Sequence, residues 1–221
     1  MTSGLSMVKG LTGVYTDGKD LYTVNAAPWK NVYGERLIEV EGIEYRYWDP
    51  HRSKLGALIL LGCRDICLDE STKVLYLGAA SGTTASHVSD IVTNGIVHCI
   101  EISERSFRDL VKVCETRKNM VPVLADANRP ENYAHMIDGI EFVYQDIAQR
   151  NQVDIFVRNM AAFEAECGIL MLKSRSINVN RKPRDVFAEV RRQLVAKNMK
   201  VKEVVSLEKY SKDHAAFLVE A

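Results

Sequence analysis

The sequence predicts an α/β protein whose sheet is mostly parallel and whose last strand is antiparallel. From Lys73 onward, short apolar runs rich in strand-forming residues alternate with segments of helical periodicity, as in consecutive βαβ units. The last two runs are joined only by Ser-Lys-Asp at 211–213, which is too short for a parallel crossover. A β-rich segment precedes them, so we expect a small N-terminal antiparallel β-domain at residues 1–50 and a main domain at 51–221.

The N-terminal segment contains two hairpin signals. Two pairs of short β-rich runs flank the turn sequences Thr16-Asp17-Gly18 and Glu41-Gly42. The paired runs are Gly13–Tyr15 with Leu21–Val24, and Leu37–Val40 with Ile43–Tyr47. A junction follows, and we expect a helix to begin near Ser53.

Eight runs in the main domain are candidates for the strands of a seven-stranded sheet. They are Val74–Leu77, Ile96–Glu101, Val121–Ala125, Ile140–Tyr144, Val153–Val157, Gly168–Lys173, Val201–Leu207 and Ala215–Val219. Helices are predicted at Glu104–Lys118 and Arg184–Lys197, because apolar residues recur on one helical face in each. A parallel sheet that ends in one antiparallel hairpin is typical of the Rossmann-like fold of S-adenosylmethionine-dependent methyltransferases.

Composition limits the possible functions. The 221 residues carry 29 basic and 29 acidic side chains, and this neutral balance argues against bulk electrostatic binding of nucleic acid. It does not exclude RNA presented by a partner. The five cysteines have no CxxC or metal-ligand spacing, so we expect a reduced protein without a metal. No apolar run reaches membrane-spanning length and no targeting signal is visible, so we expect a soluble cytoplasmic protein.

The turn after the first main-domain strand is the candidate ligand site. Gly78 and Gly82 separate that strand from a helix start at Thr83-Thr84, an arrangement suited to a nucleotide-like ligand. Their spacing is G-x-x-x-G, not the G-x-G-x-x-G of dinucleotide binders. Glu101 ends the next strand, nineteen residues beyond Gly82, where its carboxylate can accept hydrogen bonds from two ribose hydroxyls.

Five segments of the chain together resemble the fibrillarin family. They are Trp48-Asp-Pro-His-Arg-Ser-Lys-Leu, the run from Tyr76 to Asp90 (YLGAASGTTASHVSD), Asp126-Ala-Asn, Tyr144-Gln-Asp-Ile-Ala-Gln149 and Lys173-Ser-Arg-Ser-Ile177. The sequence has no Gly/Arg-rich N-terminal tail, so the resemblance is to the archaeal form. His51 stands where the motif usually has another residue, and we expect that difference to affect packing only.

The resemblance implies a function and a set of partners. Members of the family are RNA 2′-O-ribose methyltransferases that use S-adenosylmethionine to modify rRNA and tRNA as catalytic subunits of box C/D guide ribonucleoproteins. The implied partners are a Nop-family scaffold protein, a kink-turn-binding subunit similar to a ribosomal protein, and the guide RNA. We expect the isolated chain to bind RNA poorly, so that its partners deliver the target.

The residues themselves suggest how such a cofactor is held. Acidic side chains follow three successive strands, at the edge where open α/β sheets bind ligands. We expect Glu101 to hold the ribose, with Ile102 beside the adenine. We expect Asp126 to accept from the adenine amino group, with Ala127 as a close flat wall. The other candidates are the turn residues Gly78, Ala80, Gly82, Thr83 and Thr84, and, near the methyl group, Asp146, Ile147, Ala148 and Gln149. Each acid alone also fits a helix N-cap, Asp126 most of all.

Methyl transfer needs alignment of donor and acceptor and removal of the hydroxyl proton. Lys173 ends an apolar run and is the candidate base, with Asp146 orienting it and Lys54 approaching from the other side. This set matches the family of ribose methyltransferases, whose fourth member falls before the last strand. We favour His214 and leave Asp213 open.

Two other classes of function remain open at this level. A nicotinamide-dependent oxidoreductase shares the first crossover and the acidic Glu101, but prefers G-x-G-x-x-G. A non-catalytic scaffold with the same fold has no need of Lys54, Asp146 and Lys173.

Overall fold

The computed structural model describes residues 4–221, which form two sheets of opposite character. The first is a five-stranded antiparallel sheet in the order β1-β2-β3-β5-β4. Its strands are β1 (Ser6–Met7), β2 (Val14–Thr16), β3 (Leu21–Val24), β4 (Leu37–Val40) and β5 (Ile43–Trp48). Both predicted hairpins are present, and the sequence reasoning missed only the short edge strand β1.

The second sheet has seven strands and carries helices on its faces. Its helices and strands are α1 (Lys54–Leu60), β6 (Lys73–Leu77), α2 (Thr83–Ile91), β7 (Ile96–Glu101), α3 (Glu104–Cys114), β8 (Met120–Leu124), β9 (Phe142–Gln145), α4 (Gln152–Ala162), β10 (Cys167–Lys173), α5 (Ser174–Ile177), α6 (Pro183–Ala196), β11 (Lys200–Ser206) and β12 (His214–Glu220). Two 3₁₀ turns, Pro130–Asn132 and Ala134–Met136, lie between β8 and β9.

The strand order is β11-β12-β10-β9-β6-β7-β8. All pairs from β10 to β8 are parallel, whereas β12 is antiparallel to both β10 and β11. The predicted seven-stranded, mostly parallel sheet with an antiparallel last strand is therefore confirmed. Because the parallel strands all end at one edge, Leu77, Glu101, Leu124 and Gln145 place the loops that follow them side by side.

One predicted strand is wrong. The run Val153–Val157 lies within the helix α4 and not in a strand. Its β-branched and aromatic residues fit a strand over five positions, but the apolar positions continue to Met160 with helical spacing. Val153, Phe156 and Met160 are buried against the sheet face that α4 covers, so tertiary packing overrides the local preference.

A buried charge cluster joins the N-terminal sheet to α2. Arg46 of β5 donates to Glu35 and to Asp90 of α2, each at 2.7 Å, and Arg117 donates to the other oxygen of Asp90. All four side chains are fully buried, so each charge requires its partner. His87 lies beside them, with its ring stacked on Trp48 at 4.8 Å. The cluster therefore fixes the N-terminal sheet against α2.

Among residues 4–221, the helices are too short or too polar for any of them to cross a lipid bilayer.

Candidate active site

A cleft of about 300 Å³ opens at the carboxyl ends of β6, β7, β8 and β9. Ten of the predicted cofactor-binding residues line it: Gly78, Ala80, Glu101, Ile102, Asp126, Ala127, Asp146, Ile147, Ala148 and Gln149. Ile100 and Ala125, which immediately precede Glu101 and Asp126, also line the cleft. Four separate loops thus converge on one pocket, as the position of a ligand site in an open α/β sheet requires.

Gly78 forms the tight turn at the floor of the cleft. Its φ of +80° lies in the left-handed region, and a Cβ atom there would stand 2.6 Å from the backbone oxygen of Asp146. The N–H groups of Gly78 and Ala79 both donate to the carbonyl of Ile100, at 2.9 and 3.2 Å. The turn is therefore tied to β7 on one side and packed against the Asp146 loop on the other, with no room for a side chain.

Glu101 is held in place by two backbone donors. Its Oε2 accepts from the N–H of Ala80 at 2.8 Å, and its Oε1 accepts from the N–H of Ser103 at 2.7 Å. Each carboxylate oxygen has two lone pairs, so both retain acceptor capacity toward the cleft. Ala80, with φ of +48°, carries its N–H to this carboxylate. The Glu101 side chain is thus oriented before any ligand arrives.

Asp126 is held by a neighbour that the sequence reasoning missed. Its Oδ1 accepts from both the backbone and the side-chain N–H groups of Asn128, each at 2.9 Å. These two bonds lower the pKa of Asp126, the side-chain bond having the larger effect. Asn128 also donates to Gln149 at 3.1 Å and accepts from Asn151 at 2.6 Å. It therefore links the loop after β8 to the loop after β9, whereas local sequence shows only a polar turn residue.

The residues at the start of α2 do not line the cleft. Gly82 caps the helix with φ of +88° and no side-chain hydrogen bond, and a Cβ added there would stand 3.2 Å from Cδ1 of Leu110 in α3. Thr84 is buried and donates to Ser53 at 3.0 Å. Of the predicted cofactor-binding residues, only Gly82, Thr83 and Thr84 are outside the lining.

Lys54 and Asp146 form the ion pair at the mouth of the cleft. The Lys54 ammonium donates to both carboxylate oxygens, at 2.8 and 2.7 Å, with each side chain about a quarter exposed. Lys54 is the first residue of α1, whose N-cap is Ser53. Since Ser53 is itself bonded to Thr84, the start of α2 fixes the helix that presents Lys54.

Lys173 and His214 are paired across the antiparallel strands β10 and β12. Directly opposed residues project to the same face of a sheet. Gln152 holds the backbone of Lys173: its Oε1 accepts from the Lys173 N–H at 3.0 Å, and its Nε2 donates to the Lys173 carbonyl at 3.2 Å. Gln152 is fully buried. The sequence reasoning missed its role, and it immediately precedes the run Val153–Val157 that was wrongly predicted to be a strand.

The charges of Lys54, Asp146 and Lys173 all act on the pKa of His214. Burial lowers its pKa, and the positive charges of Lys54 and Lys173 act in the same direction, while the carbonyl of Lys212 and the Asp146 carboxylate oppose them. Its Nδ1 lies 2.6 Å from the Lys212 carbonyl, which can only accept. The neutral ring therefore carries its proton on Nδ1 and keeps a lone pair on Nε2.

Asp213 is bonded to Arg175 and Ser174, not to the proposed catalytic residues. Its carboxylate pairs with Arg175 at 3.0 Å, and its backbone carbonyl accepts from the N–H and hydroxyl of Ser174. These bonds fix the loop before β12. Of the two candidates, His214 is the one whose pKa is lowered by the charges of Lys54 and Lys173.

The sheet order and the strand-end cleft define the Rossmann-like fold of S-adenosylmethionine-dependent methyltransferases. A fibrillarin family model matches residues 6–221, nearly the whole chain. The chain belongs to the fibrillarin family.

Known members are similar along their full length. The fibrillarin-like rRNA/tRNA 2′-O-methyltransferase of Methanothermobacter thermautotrophicus is 49% identical over 214 residues, which cover 96% of each chain. The solved Aeropyrum pernix fibrillarin, with natively bound S-adenosylmethionine, is 38% identical with a TM-score of 0.89, covering 98% of this chain and 97% of that one. A fibrillarin in complex with Nop5p is 36% identical with a TM-score of 0.89, covering 97% and 99% respectively.

Proposed function

We propose that this protein transfers a methyl group from S-adenosylmethionine to ribose 2′-hydroxyls of rRNA and tRNA, as the catalytic subunit of a box C/D guide ribonucleoprotein. The observation that carries the proposal is the Lys54–Asp146 ion pair at the mouth of the strand-end cleft, with Lys173 and His214 paired on the adjoining strands. The relatives named for this reaction, and the fibrillarin with bound cofactor, support it.

The residues of the cleft fit this cofactor. The absence of a Cβ at Gly78 lets the Asp146 loop pack against the turn, which brings Asp146 and Ile147 to the cleft. Glu101, already oriented by Ala80 and Ser103, suits the two ribose hydroxyls, while Asp126 suits the adenine amino group. Ile102 and Ala127 supply apolar surface for the flat base. The start of α2 lies outside this pocket lining but has no side-chain cap, so its N–H groups suit the carboxylate of a methionine moiety that extends beyond the pocket.

Bound S-adenosylmethionine supplies an electrophilic methyl group on a sulfonium. The chain's own residues must then place a ribose hydroxyl in line with that methyl and accept its proton. The two bonds from Lys54 fix the Asp146 carboxylate at the edge of the cleft, and they balance its charge. A carboxylate held in this way can accept a hydrogen bond from the incoming hydroxyl and orient it.

Two groups of the set are candidates to take the hydroxyl proton, Lys173 only as a neutral amine, since an ammonium has no acceptor. We propose Lys173 as the acceptor, since it ends a buried strand and its backbone is held on both sides by Gln152. His214 is the second candidate, because its neutral ring keeps an Nε2 lone pair. If His214 is the base, the rate falls at acid pH with the titration of its ring. If Lys173 is the base, His214→Gln leaves the fall of the rate at acid pH unchanged.

The partners proposed are a Nop-family scaffold protein, a kink-turn-binding subunit and a guide RNA. A fibrillarin relative has been solved with Nop5p, which supports the first. The neutral charge of the chain supports delivery of the target by others, since few phosphates can be neutralised by the isolated protein.

The test is methylation in a reconstituted particle. Labelled S-adenosylmethionine is added with guide RNA, both partner proteins and a target RNA, and the modified nucleotide is mapped. The proposal predicts label on the 2′-oxygen of one guide-specified nucleotide and none without the chain. Label on a base, or transfer independent of the guide, contradicts it.

A further inference from the structure

Two cysteines that take no part in the proposed methyl transfer lie at the amino end of the second sheet. Cys67 belongs to the loop between α1 and β6, and Cys167 is the first residue of β10. Both are free thiols, and both line a cavity of about 750 Å³ at the end of the sheet opposite the cofactor cleft. We propose that this Cys67–Cys167 pair is a redox modification site, at which a small uncharged peroxide converts the two thiols into a reversible disulfide.

A chain of ion pairs fixes the Cys67 loop beside β10. Asp65, two residues before Cys67, pairs with Lys202 of β11, and Lys202 also pairs with Glu220 of β12 at 2.9 Å. Glu220 stands directly opposite Cys167 in the antiparallel ladder of β10 and β12. The two sulfur atoms are therefore brought together by contacts in which neither of them takes part.

The two thiols differ in accessibility and in acidity. Cys67 is exposed, whereas Cys167 is partly buried. A hydrogen bond from the Cys167 thiol to the Cys67 sulfur lowers the pKa of Cys67 to about 7 and raises the pKa of Cys167. The Lys202 ammonium also lowers the pKa of Cys67, while burial and the carboxylates of Asp65 and Glu220 oppose it. At neutral pH about half of Cys67 is therefore thiolate, the nucleophilic form, with a protonated thiol beside it.

The charge of the cavity favours an uncharged oxidant. Among the described residues, its lining carries the carboxylates of Asp69, Glu141, Glu164 and Glu166 and one ammonium, that of Lys73. An anionic oxidant such as oxidised glutathione is repelled by this excess of negative charge, whereas a peroxide is not. Within residues 4–221, no three His, Cys, Asp or Glu side chains are grouped so as to hold a metal ion, so the pair suits redox chemistry and not metal binding.

The reaction has two steps. The Cys67 thiolate attacks one oxygen of hydrogen peroxide and the O–O bond breaks, which gives a sulfenic acid and a hydroxide that takes up a proton to become water. The Cys167 sulfur then attacks the sulfenic sulfur, and its proton leaves with the sulfenic hydroxyl as a second water. The two thiols together lose two electrons, which the peroxide gains. The new bond closes a long loop of chain, because 100 positions (167 − 67) separate the two cysteines, and such a closure stabilises the fold.

The experiment treats the full chain with hydrogen peroxide and maps its disulfides by mass spectrometry of a non-reduced digest. We expect a Cys67–Cys167 bridge and a rise in Tm of about 4–16 °C that a thiol reductant reverses. Cys67→Ala should form no bridge and show no rise. In Cys167→Ala, Cys67 should stop at the sulfenic acid, which a 1,3-diketone traps. Cys63→Ala is the matched control and should form the bridge, because burial raises the pKa of the Cys63 thiol to about 11 and removes it from the reaction.

Alkylation by iodoacetamide tests the reactivity of Cys67 without an oxidant. At pH 7 we expect Cys67 to react at least about tenfold faster than Cys63. The midpoint of its pH dependence should lie near 7 and should rise in Cys167→Ala, because the hydrogen-bond donor is lost. A Cys67 that reacts no faster than Cys63, a midpoint that Cys167→Ala leaves in place, or a peroxide-induced bridge between two chains would each overturn the inference. So would a wild-type chain that forms no bridge.

Discussion

Gly78→Ala is the substitution that tests the floor of the cofactor cleft most selectively. The added methyl would stand 2.6 Å from the Asp146 carbonyl oxygen and 2.9 Å from Cγ1 of Ile147. Contacts this short require the Asp146 loop to move outward. Gly42→Ala is the matched control, because Gly42 has nearly the same φ (+79° against +80°) and nothing within 4 Å of the added methyl.

The magnitude follows from the difference between these two variants. Both place an alanine in the left-handed region, at a cost of about 1–2 kcal/mol. Only Gly78→Ala adds overpacking, which costs about 1–3 kcal/mol more. Because the loop that moves carries Asp146 and Ile147, we expect S-adenosylmethionine affinity to fall at least tenfold in Gly78→Ala, about 1.4 kcal/mol. Gly42→Ala should retain full affinity.

Urea unfolding gives the free energy of unfolding of both variants, and calorimetric titration gives their cofactor affinity. The reasoning fails if Gly78→Ala and Gly42→Ala lose equal stability and both bind the cofactor like the wild type. Such a result would mean that the loop after β9 yields without consequence for the cleft.

Three further predictions concern the cleft and the buried cluster. Glu101→Ala and Asp126→Ala should each weaken cofactor binding by about 1.5–3 kcal/mol, through loss of a charge-assisted hydrogen bond; wild-type titrations would remove those residues from the site. Asp90→Asn should lower the free energy of unfolding by about 3–5 kcal/mol, because it removes the carboxylate that pairs with Arg117 and one of the two that pair with Arg46. The exposed control Asp109→Asn should change it by less than about 0.5 kcal/mol, and equal losses would refute the argument. Burial, aided by Arg46 and Arg117, lowers the pKa of His87 well below 6.5, so only the unfolded chain takes up that proton as the pH falls. The free energy of unfolding should therefore drop by about 1.4 kcal/mol per pH unit below 6.5. Unfolding measured as a function of pH should show this drop in the wild type and not in His87→Gln. Identical pH profiles of the two proteins would exclude the contribution of His87.

Most of the fold follows from local sequence, and the one wrong strand shows the limit of such reasoning. Apolar runs between turn signals located all seven strands of the second sheet, with boundaries within about two residues. Val153–Val157 failed because a five-residue window cannot separate a buried helix from a strand. Extending the window to Met160 shows the helical period, and burial against the sheet then decides the conformation.

The site was predictable where topology alone places a residue. Glu101, Asp126 and Asp146 follow successive sheet strands, so their meeting in one cleft is a consequence of the parallel order. Asn128 and Gln152 were missed, because their roles depend on contacts across 21 residues of chain in each case, to Gln149 and Lys173. Thr84 contacts Ser53 and not the cleft for a similar reason: the helix start is turned by its packing against α1.

The most direct test of the proposed chemistry is the single-turnover rate of Lys173→Ala in the reconstituted particle. Removal of a general base lowers a rate by about 10²–10⁴-fold without removing a cofactor contact. We therefore predict that Lys173→Ala folds and binds S-adenosylmethionine like the wild type, but transfers the methyl group at least a hundredfold more slowly. A rate within a few-fold of wild type, at saturating cofactor and target, would contradict the assignment of Lys173 as the proton acceptor.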